Sequence, residues 1–262
     1  MMQCFDPDAI DVPVCALNLD AAEHTREAPM HNHNRGQLVV ALSGGVICRT
    51  EKGLWMVPAG SGVWVPGYVR HSNEVTRNGR VVVLFVAPEI AGLPEHCACL
   101  NLSPLVIELI CRLAENPTAL YRSGDHLDRI AQVLLEELRL QQVNDLHLPI
   151  PDDPALRFIA NALIENPGER LSLAQWASRV AMSERSLSRL VTRQTAMSFG
   201  RWRQQLQVII ALRQLSEGAS VQNVADNLGY DSVSAFITMF RKLLGQSPAR
   251  YAAQMAQTVT VR

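Results

Sequence analysis

The spacing of three histidines is the clearest indication of a binding site in this sequence. His31 and His33 are separated by one residue, Gln37 follows His33 by four positions, and His71 ends the segment PGYVRH. Side chains at positions i and i+2 of a strand point to the same side, so both imidazoles can face one cavity, and Gln37 can join them if the strand continues. Imidazole nitrogens are common ligands of zinc, nickel and iron. We therefore predict a site for one divalent transition metal (Zn, Ni or Fe) at His31, His33, Gln37 and His71.

The same histidines also admit an interpretation without a metal. Neutral imidazoles can line a ligand pocket or satisfy buried backbone groups. Trp55 and Trp64 lie on neighbouring predicted strands, where they are either walls of that ligand pocket or ordinary core residues. A metal held by three neutral histidines and a neutral glutamine keeps a charge of about +2, which favours an anionic effector. Without a metal, a small aromatic effector is equally plausible.

The surrounding N-terminal sequence predicts a small β-domain followed by helices. Short β-branched runs separated by glycine and proline fill residues 37–86, which is typical of an antiparallel barrel or sandwich. Ser103 and Pro104 then offer the start of a helix that stops before Asn116. A second helix carries an apolar stripe from Leu127 to Leu138. This stripe packs either within the domain or against a second copy of the chain in a dimer.

The cysteines and the N-terminus exclude two classes of protein. The six cysteines form no CxxC pair, and a chain this long needs no disulfide scaffold. Cys97 and Cys99 flank one alanine and could hold a soft metal or form a redox pair, but buried apolar cysteines are the more common case. No apolar run approaches the roughly 20 residues that span a bilayer, and the first residues do not resemble a signal peptide. We expect a cytoplasmic protein with no membrane partner.

The net charge of −1 conceals two halves of opposite charge. Residues 1–154 contain 11 Lys and Arg against 19 Asp and Glu, a net charge of −8. Residues 155–262 contain 13 basic and 6 acidic residues, a net charge of +7. This asymmetry indicates that the C-terminal part alone binds a polyanion such as double-stranded DNA.

The basic half contains an internal repeat. The apolar spacing i, i+3, i+4, i+7 from Leu173 to Val180 recurs 48 residues later from Val221 to Leu228. In each copy a short break, a capping serine and a second amphipathic helix follow, which predicts a helix-turn-helix twice over. A connecting helix of about fifteen residues, roughly 22 Å long, joins the copies. The alternative is an all-helical interaction domain whose amphipathic pairs only pack.

Arginine placement favours DNA binding over simple packing. Arg185 and Arg189 lie one turn apart on the outer face of the second helix of the first copy. The equivalent positions in the second copy are Ser234 and Thr238, which are smaller and select bases weakly, so the first copy should carry more specificity. The predicted DNA-binding residues are Ser183, Arg185, Ser186, Ser188, Arg189, Thr192, Arg193, Ser232, Ser234, Ala235, Thr238 and Lys242.

Two segments of the basic half resemble a known protein family. The segments MSERSLSRLVTRQTAMSFGRWRQQL (182–206) and ADNLGYDSVSAFITMFRKLLGQSPARY (225–251) are similar to the DNA-binding domain of AraC/XylS transcription regulators. The resemblance implies that the helices at 184–193 and 233–242 enter successive major grooves. Leu190 and Val191 stand where a Leu-Phe or Arg-Phe pair is common in the family, a minor departure in the core.

The N-terminal half resembles the cupin barrel, in which a His-x-His pair, an acidic residue and a later histidine hold a divalent metal. Gln37 replaces the acidic ligand, which should weaken hard cations more than zinc or nickel, and Tyr68 replaces the usual glycine. The stretches 31–45 and 62–75 resemble the subgroup of AraC-type regulators that controls nitroimidazole resistance through an efflux gene.

The sequence therefore predicts a two-domain α+β protein that regulates transcription. Residues 1–95 form a cupin-like sensor barrel, 96–143 a helical segment that either packs on the barrel or forms a dimer seam, 144–154 a linker, and 155–255 the all-α domain with two helix-turn-helix units. The expected partners are double-stranded DNA, a small-molecule or metal effector, a second copy in a homodimer, and RNA polymerase if the protein activates. The alternative is a metal-dependent cupin oxygenase or isomerase with a helical accessory domain. That alternative lacks a carboxylate ligand and an obvious general base.

Overall fold

The computed structural model describes residues 5–20, 29–76, 79–115, 121–144, 147–149, 151 and 153–256. The chain forms two compact units. The first comprises Met1–Thr50, Trp55–Leu146 and Met255–Arg262, and the second comprises Glu51–Leu54 and His147–Gln254.

Two antiparallel sheets make up most of the first unit. The strands are β1 (Val14–Asp20), β2 (Gly36–Ser43), β3 (Gly45–Thr50), β4 (Gly53–Pro58), β5 (Ser61–Val65), β6 (His71–Val75), β7 (Arg80–Val86), β8 (Ala98–Asn101) and β9 (Gln142–Asn144). One sheet has the order β1-β7-β2-β5-β8-β9, and the other contains β4, β3 and β6 as neighbours in that order. The strand runs read from the sequence are confirmed as β2, β3, β4, β5 and β7, whereas β1, β6, β8 and β9 were not predicted.

Both faces of the larger sheet are buried, which explains why β2 and β7 are apolar nearly throughout. On one face Leu38 and Val40 pack with residues of the helices, and on the other Val39 and Ala41 pack with Trp55 of β4. The second set of residues forms the core between the two sheets. A ligand in this domain would therefore lie on the side of β2 that carries Gln37 and Val39.

Two helices cover the outer face of the larger sheet. Helix α1 (Pro104–Ala114) begins at Ser103, whose side chain accepts a hydrogen bond from the Val106 backbone N–H, as the sequence predicts. Helix α2 (His126–Arg139) buries the stripe that includes Leu134 and Leu138 against α1 and the sheet. The apolar stripe of α2 is thus used inside the unit, which favours intradomain packing over the dimer alternative.

The described cysteines of the first unit are free thiols, and most are buried. Burial raises the pKa of Cys15 and of Cys97 to about 11, and it raises the pKa of Cys48 and Cys111 as well. The thiolate is the reactive form of cysteine. These thiols are therefore held in their unreactive, protonated form at neutral pH.

We expect native protein to resist thiol modification at pH 8. A thiol with a pKa of about 11 is roughly one part in a thousand thiolate at that pH, against about a quarter at the ordinary pKa of 8.5. The measurement is the rate of reaction with a disulfide reagent, before and after unfolding in urea. Cys4 lies outside the described residues, so the Cys4→Ser variant is the sample to use. Equal rates in native and unfolded protein would contradict the prediction.

The second unit is almost entirely helical. It contains β10 (His147–Pro149), α3 (Pro154–Glu165), α4 (Leu173–Arg179), α5 (Glu184–Thr195), α6 (Phe199–Ser216), α7 (Val221–Asn227), α8 (Val233–Leu244) and α9 (Pro248–Ala256). The segment 144–154, predicted as a linker, includes β10, and Leu148 is only 2% exposed. The Trp202 indole N–H also donates to the Pro149 carbonyl, so the described residues Leu148 and Pro149 pack on the second unit.

The predicted repeat is present as two helix-turn-helix units. Helices α4 and α5 form the first and α7 and α8 the second, with α6 between them. Ser183 and Ser232 cap α5 and α8, as predicted, by accepting a hydrogen bond from the backbone N–H three residues on. Helix α6 has 18 residues, slightly longer than expected. Phe236 and Phe240, two of the largest fully buried side chains, anchor α8.

The predicted α+β class is confirmed, with a β domain and helices at the N-terminus and a helical domain with two helix-turn-helix units at the C-terminus. Within 155–255 every described element is a helix, and the short strand β10 lies in the segment predicted as a linker. None of the described helices combines the length and hydropathy needed to span a bilayer.

Candidate nucleic-acid interface and histidine cluster

The three predicted histidines come together in the first unit. His31 and His71 form an antiparallel bridge, in which each backbone N–H donates to the other carbonyl, at 2.9 and 2.8 Å. The ring centroid of His33 lies 5.2 Å from that of His71. One nitrogen of each ring lies within 4.8 Å of the others. Among the described residues, no other three metal-ligating side chains meet this closely.

Backbone carbonyls orient all three imidazole rings. The Nδ1 atoms of His31, His33 and His71 lie 2.7, 2.7 and 2.9 Å from the carbonyl oxygens of Pro29, Arg35 and Val69. Because a carbonyl only accepts, each neutral ring places its proton on Nδ1 and leaves a lone pair on Nε2. A backbone acceptor on the second ring nitrogen is the usual support of a metal-bound histidine.

Gln37 joins the cluster as the sequence predicts. Its Oε1 lies 2.9 Å from Nε2 of His33, and Gln37 is 3% exposed. A neutral His33 with its proton on Nδ1 cannot donate to this oxygen. Either the amide is turned so that its NH₂ group donates to His33, or a cation accepts both lone pairs.

His71 is the buried member of the cluster. It is 1% exposed, and its Nε2 is buried without a hydrogen-bond partner. The pKa of His71 is lowered to about 4, chiefly by burial; the Val69 carbonyl opposes this shift, and the nearby His31 and His33 add to it. His71 is therefore neutral at physiological pH and presents a lone pair that nothing in the described structure uses. Such an orphaned acceptor fits a metal or a ligand donor.

The two predicted tryptophans do not share one face of the sheet. Trp55 packs in the core between the sheets, together with Phe85, whose ring lies 5.3 Å from that of His33. Trp64 lies in the other cluster, against the helices, and its indole N–H donates to the Pro94 carbonyl at 2.8 Å. Successive strand residues alternate between faces, and Trp64 is paired with Leu38 rather than with Gln37. For Trp64, this placement favours the core alternative over a wall of the histidine site.

Two polar residues near the cluster were not predicted. Asn73 lies two residues after His71 on β6, and its Oδ1 is also buried without a partner. The two-residue periodicity of a strand could have identified it. Arg35 is 5% exposed, and its guanidinium donates to the carbonyls of Val12 and Ile10. An arginine between Asn34 and Gly36 gives no sequence signal of burial.

Tyr68 is held in a left-handed backbone conformation beside the site. Its φ is 66°, its side chain is 68% exposed, and its backbone N–H donates to the His33 carbonyl at 2.7 Å. A non-glycine residue in this region costs of order 1–2 kcal/mol, a cost that glycine avoids. The turn therefore stores strain next to the histidines.

We expect the Tyr68→Gly variant to be more stable than Tyr68→Ala by about 1 kcal/mol, because only glycine relieves the Cβ clash at positive φ. Tyr68→Ala is the matched control, since it removes the same aromatic ring but keeps the strained Cβ. Urea unfolding of both variants gives the difference directly. A Tyr68→Ala variant as stable as Tyr68→Gly would show that the turn is unstrained.

In the second unit, α5 presents a basic face to solvent. Leu187 and Val191 point into the core, and the arginines Arg185, Arg189 and Arg193 are exposed at successive turns. None of these arginines forms an ion pair with any residue that the structure describes. Three uncompensated guanidinium groups on one helix face are suited to a polyanion.

Helix α8 exposes a smaller polar face. Ser234, Thr238 and Lys242 occupy the positions equivalent to the three arginines and are all exposed. The hydroxyl of Thr238 donates to the Ser234 carbonyl at 2.9 Å, as Thr192 does to Ser188 on α5 at 3.1 Å. These hydroxyls keep acceptor lone pairs for a second partner. The prediction missed Arg241, an exposed cation in the last turn of α8.

All twelve predicted DNA-binding residues are solvent-exposed. Two of them also have a structural task. Ser183 and Ser232 use their hydroxyls as helix caps, and Ser183 additionally donates to the Ser186 hydroxyl at 2.8 Å. These serines are therefore available to phosphates mainly through their backbone at the helix N-terminus.

Comparison with known proteins identifies these elements. Residues 176–254 match the model of a helix-turn-helix domain. The HTH-type transcriptional regulator NimR of Escherichia coli strain K12 is 45% identical over 251 residues, which cover 96% of this chain and 92% of that protein. The HTH-type transcriptional regulator RipA of Corynebacterium glutamicum is 30% identical over 103 residues, covering 39% of this chain and 31% of RipA.

A solved structure with a related sequence is that of the DNA-binding domain of AdpA in complex with a target DNA. It shares 32% identity and covers 39% of this chain and 92% of that domain, with a TM-score of 0.36. The sequence relatives are transcription regulators rather than enzymes, so the cupin enzyme alternative is rejected. The chain belongs to the AraC/XylS family of helix-turn-helix transcription regulators and is similar to NimR over nearly its whole length.

Proposed function

We propose that this DNA-binding regulator reads its operator with α5 and α8 and responds to an effector bound at the histidine cluster. The observation that carries the DNA-reading role is the row of exposed, unpaired arginines Arg185, Arg189 and Arg193 on α5. An α-helix fits the major groove of B-DNA, where an arginine can bond to guanine O6 and N7 through two hydrogen bonds. The small polar groups of α8 would contribute less base discrimination.

The effector site is proposed from the geometry of the first unit. Three imidazoles, each oriented by a backbone carbonyl at Nδ1, bring one nitrogen of each ring within 4.8 Å of the others, and Gln37 adds an amide group 2.9 Å from Nε2 of His33. This neutral donor set suits zinc, nickel or iron better than magnesium or calcium. When bound, the metal would supply a charge of about +2, and hence attraction for an anionic effector.

A neutral ligand set distinguishes this site from a catalytic metal centre with a carboxylate ligand. In the proposed regulator, His31, His33 and His71 would hold and orient the ion, and the ring of Phe85, 5.3 Å from that of His33, would exclude water on the inner side. We propose that the protein works as a homodimer and contacts RNA polymerase where it activates. Because the sequence resembles NimR, a neighbouring efflux or transport gene is the proposed target.

The decisive test combines metal analysis with DNA binding. Protein purified without chelator is analysed for bound metal and titrated with its own upstream DNA, before and after EDTA treatment and after re-addition of Zn²⁺. We expect stoichiometric metal and a DNA affinity that changes on chelation and recovers with zinc. The His126→Ala variant is the matched control, because His126 is an exposed histidine outside the cluster.

Two results would change the proposal. If the purified protein contains no metal and its DNA affinity does not change with zinc or EDTA, the histidines line an organic-ligand pocket. Failure to bind duplex DNA at low salt, where phosphate contacts are strongest, would contradict the DNA-reading role itself.

A further inference from the structure

The α3–α4 loop, which leads into the first helix-turn-helix, contacts the turn of the second helix-turn-helix through backbone atoms. The loop between α3 and α4 meets the turn between α7 and α8 at Gly168 and Gly229. A Cβ on Gly229 would lie 2.7 Å from the Gly168 carbonyl oxygen, and a Cβ on Gly168 would lie 2.9 Å from the Asn227 carbonyl oxygen. Gly229 also has a φ of 73°. Neither position has room for a side chain, so the two backbones are in van der Waals contact.

A buried glutamine of α6 fixes the turn of the second helix-turn-helix. Gln207 is 7% exposed, and its side-chain NH₂ donates to the Leu228 carbonyl at 3.2 Å. Its Oε1 accepts from the Tyr230 hydroxyl at 3.1 Å. The amide is therefore satisfied at both ends by residues on either side of Gly229.

One turn earlier on α6, Arg203 fixes the α3–α4 loop, which leads into the first helix-turn-helix. Its guanidinium donates to the backbone carbonyls of Glu169 and Leu171. Arg170 of the same loop pairs with Asp231 at 2.6 Å, although both side chains are exposed and this pair contributes little. Arg203 and Gln207 thus hold the α3–α4 loop and the α7–α8 turn against the same helix, α6.

We name the contacts of Gly168, Arg203, Gln207, Gly229 and Tyr230 the polar seam. Apolar contacts tolerate sliding, whereas buried hydrogen bonds are satisfied in one arrangement and leave costly unpaired groups in others. We propose that the polar seam locks α5 and α8 into one rigid reading head, and so sets the spacing that the operator must have between its two recognised segments.

The consequence for DNA is specific. One inserted base pair moves the second segment by about 3.4 Å along the helix axis and rotates it by about 35°. If α5 and α8 are fixed relative to each other, they cannot follow both changes. If the contacts of the polar seam are weakened, they can. The polar seam therefore adds selectivity for spacing that no base contact provides. This inference rests on the proposed reading of DNA by both helices.

The test uses the full-length protein and a site selected from random duplex DNA, with both protected segments mapped by footprinting. One base pair is inserted between the segments, and the ratio of the two dissociation constants is measured. We expect a large ratio for wild type and a ratio about tenfold smaller for Gln207→Ala, corresponding to the loss of about one buried hydrogen bond. Affinity for the uninterrupted site should change less.

Gln204→Ala is the matched control, because Gln204 is an exposed glutamine on the same helix. Tyr230→Phe is the second variant; it removes a single hydroxyl and decides the question if Gln207→Ala does not fold. A wild type that tolerates the insertion, or folded seam variants with an unchanged ratio, would overturn the inference. Footprinting that shows one protected segment instead of two would refute two-helix reading and not the seam.

Discussion

Replacing Arg189 with alanine is expected to relax the base preference at one operator position, at a cost of about 1–3 kcal/mol in binding to the preferred sequence. Arg189 is exposed at the centre of α5, one turn from Arg185 and from Arg193, and no described carboxylate neutralises it. Its guanidinium is therefore free to bond to a guanine edge. The measurement is the affinity of wild type and variant for a set of operators that differ by single base pairs.

Thr238→Ala is the matched control for Arg189→Ala, because Thr238 is the equivalent residue on α8. Its hydroxyl already donates to the Ser234 carbonyl, and it should therefore contribute less than Arg189 to base preference. An Arg189→Ala variant with the wild-type preference at every position would contradict the assignment. A uniform loss across all operators, with a weaker salt dependence, would instead place Arg189 on a phosphate.

Zinc is expected to stabilise the wild-type protein by about 2.7 kcal/mol when its free concentration is 100 times the dissociation constant, because an ion that binds only the native state shifts unfolding by mass action. The double variant His31→Ala/His33→Ala should lose this stabilisation, since it removes two of three imidazole ligands while leaving the buried His71 in place. Calorimetric melting temperatures with EDTA and with increasing zinc give the result.

The control is again His126→Ala, which should keep the full zinc-dependent shift. The two histidines that are replaced are partly exposed, so the double variant should fold, and its melting temperature in EDTA should stay close to that of wild type. Equal zinc shifts in wild type and double variant would place the ion elsewhere. If zinc does not raise the melting temperature of the wild type, the cluster is a site for an organic ligand and not for a metal.

The structure of the helical half was easier to predict from the sequence than that of the β domain. A repeated apolar spacing, serine caps and glycine in the second turn all depend on residues close together in the chain. Local rules of this kind predicted both helix-turn-helix units and the exposure of the arginines. The similarity to AraC/XylS regulators covers this region, and the match at residues 176–254 agrees with it.

The strands of the β domain were harder to predict from the sequence, for a physical reason. Strands β6 and β8 are short and contain polar residues, and their pairing partners lie distant in sequence. The position of Trp64 stayed open for a related reason, because its face depends on strand register, and a shift of one residue moves a side chain to the opposite side of the sheet.

By itself, the sequence determined the helix-turn-helix repeat, the separation of charge, the family and the identity of the three clustered histidines, because these depend on residue type and short-range spacing. Tertiary structure alone decided that His71 is buried with an unpaired Nε2, that Trp64 faces the helices, and that Gly168 meets Gly229. Each of these follows from contacts between segments far apart in the chain, whose geometry is set by packing and register and not by local pattern.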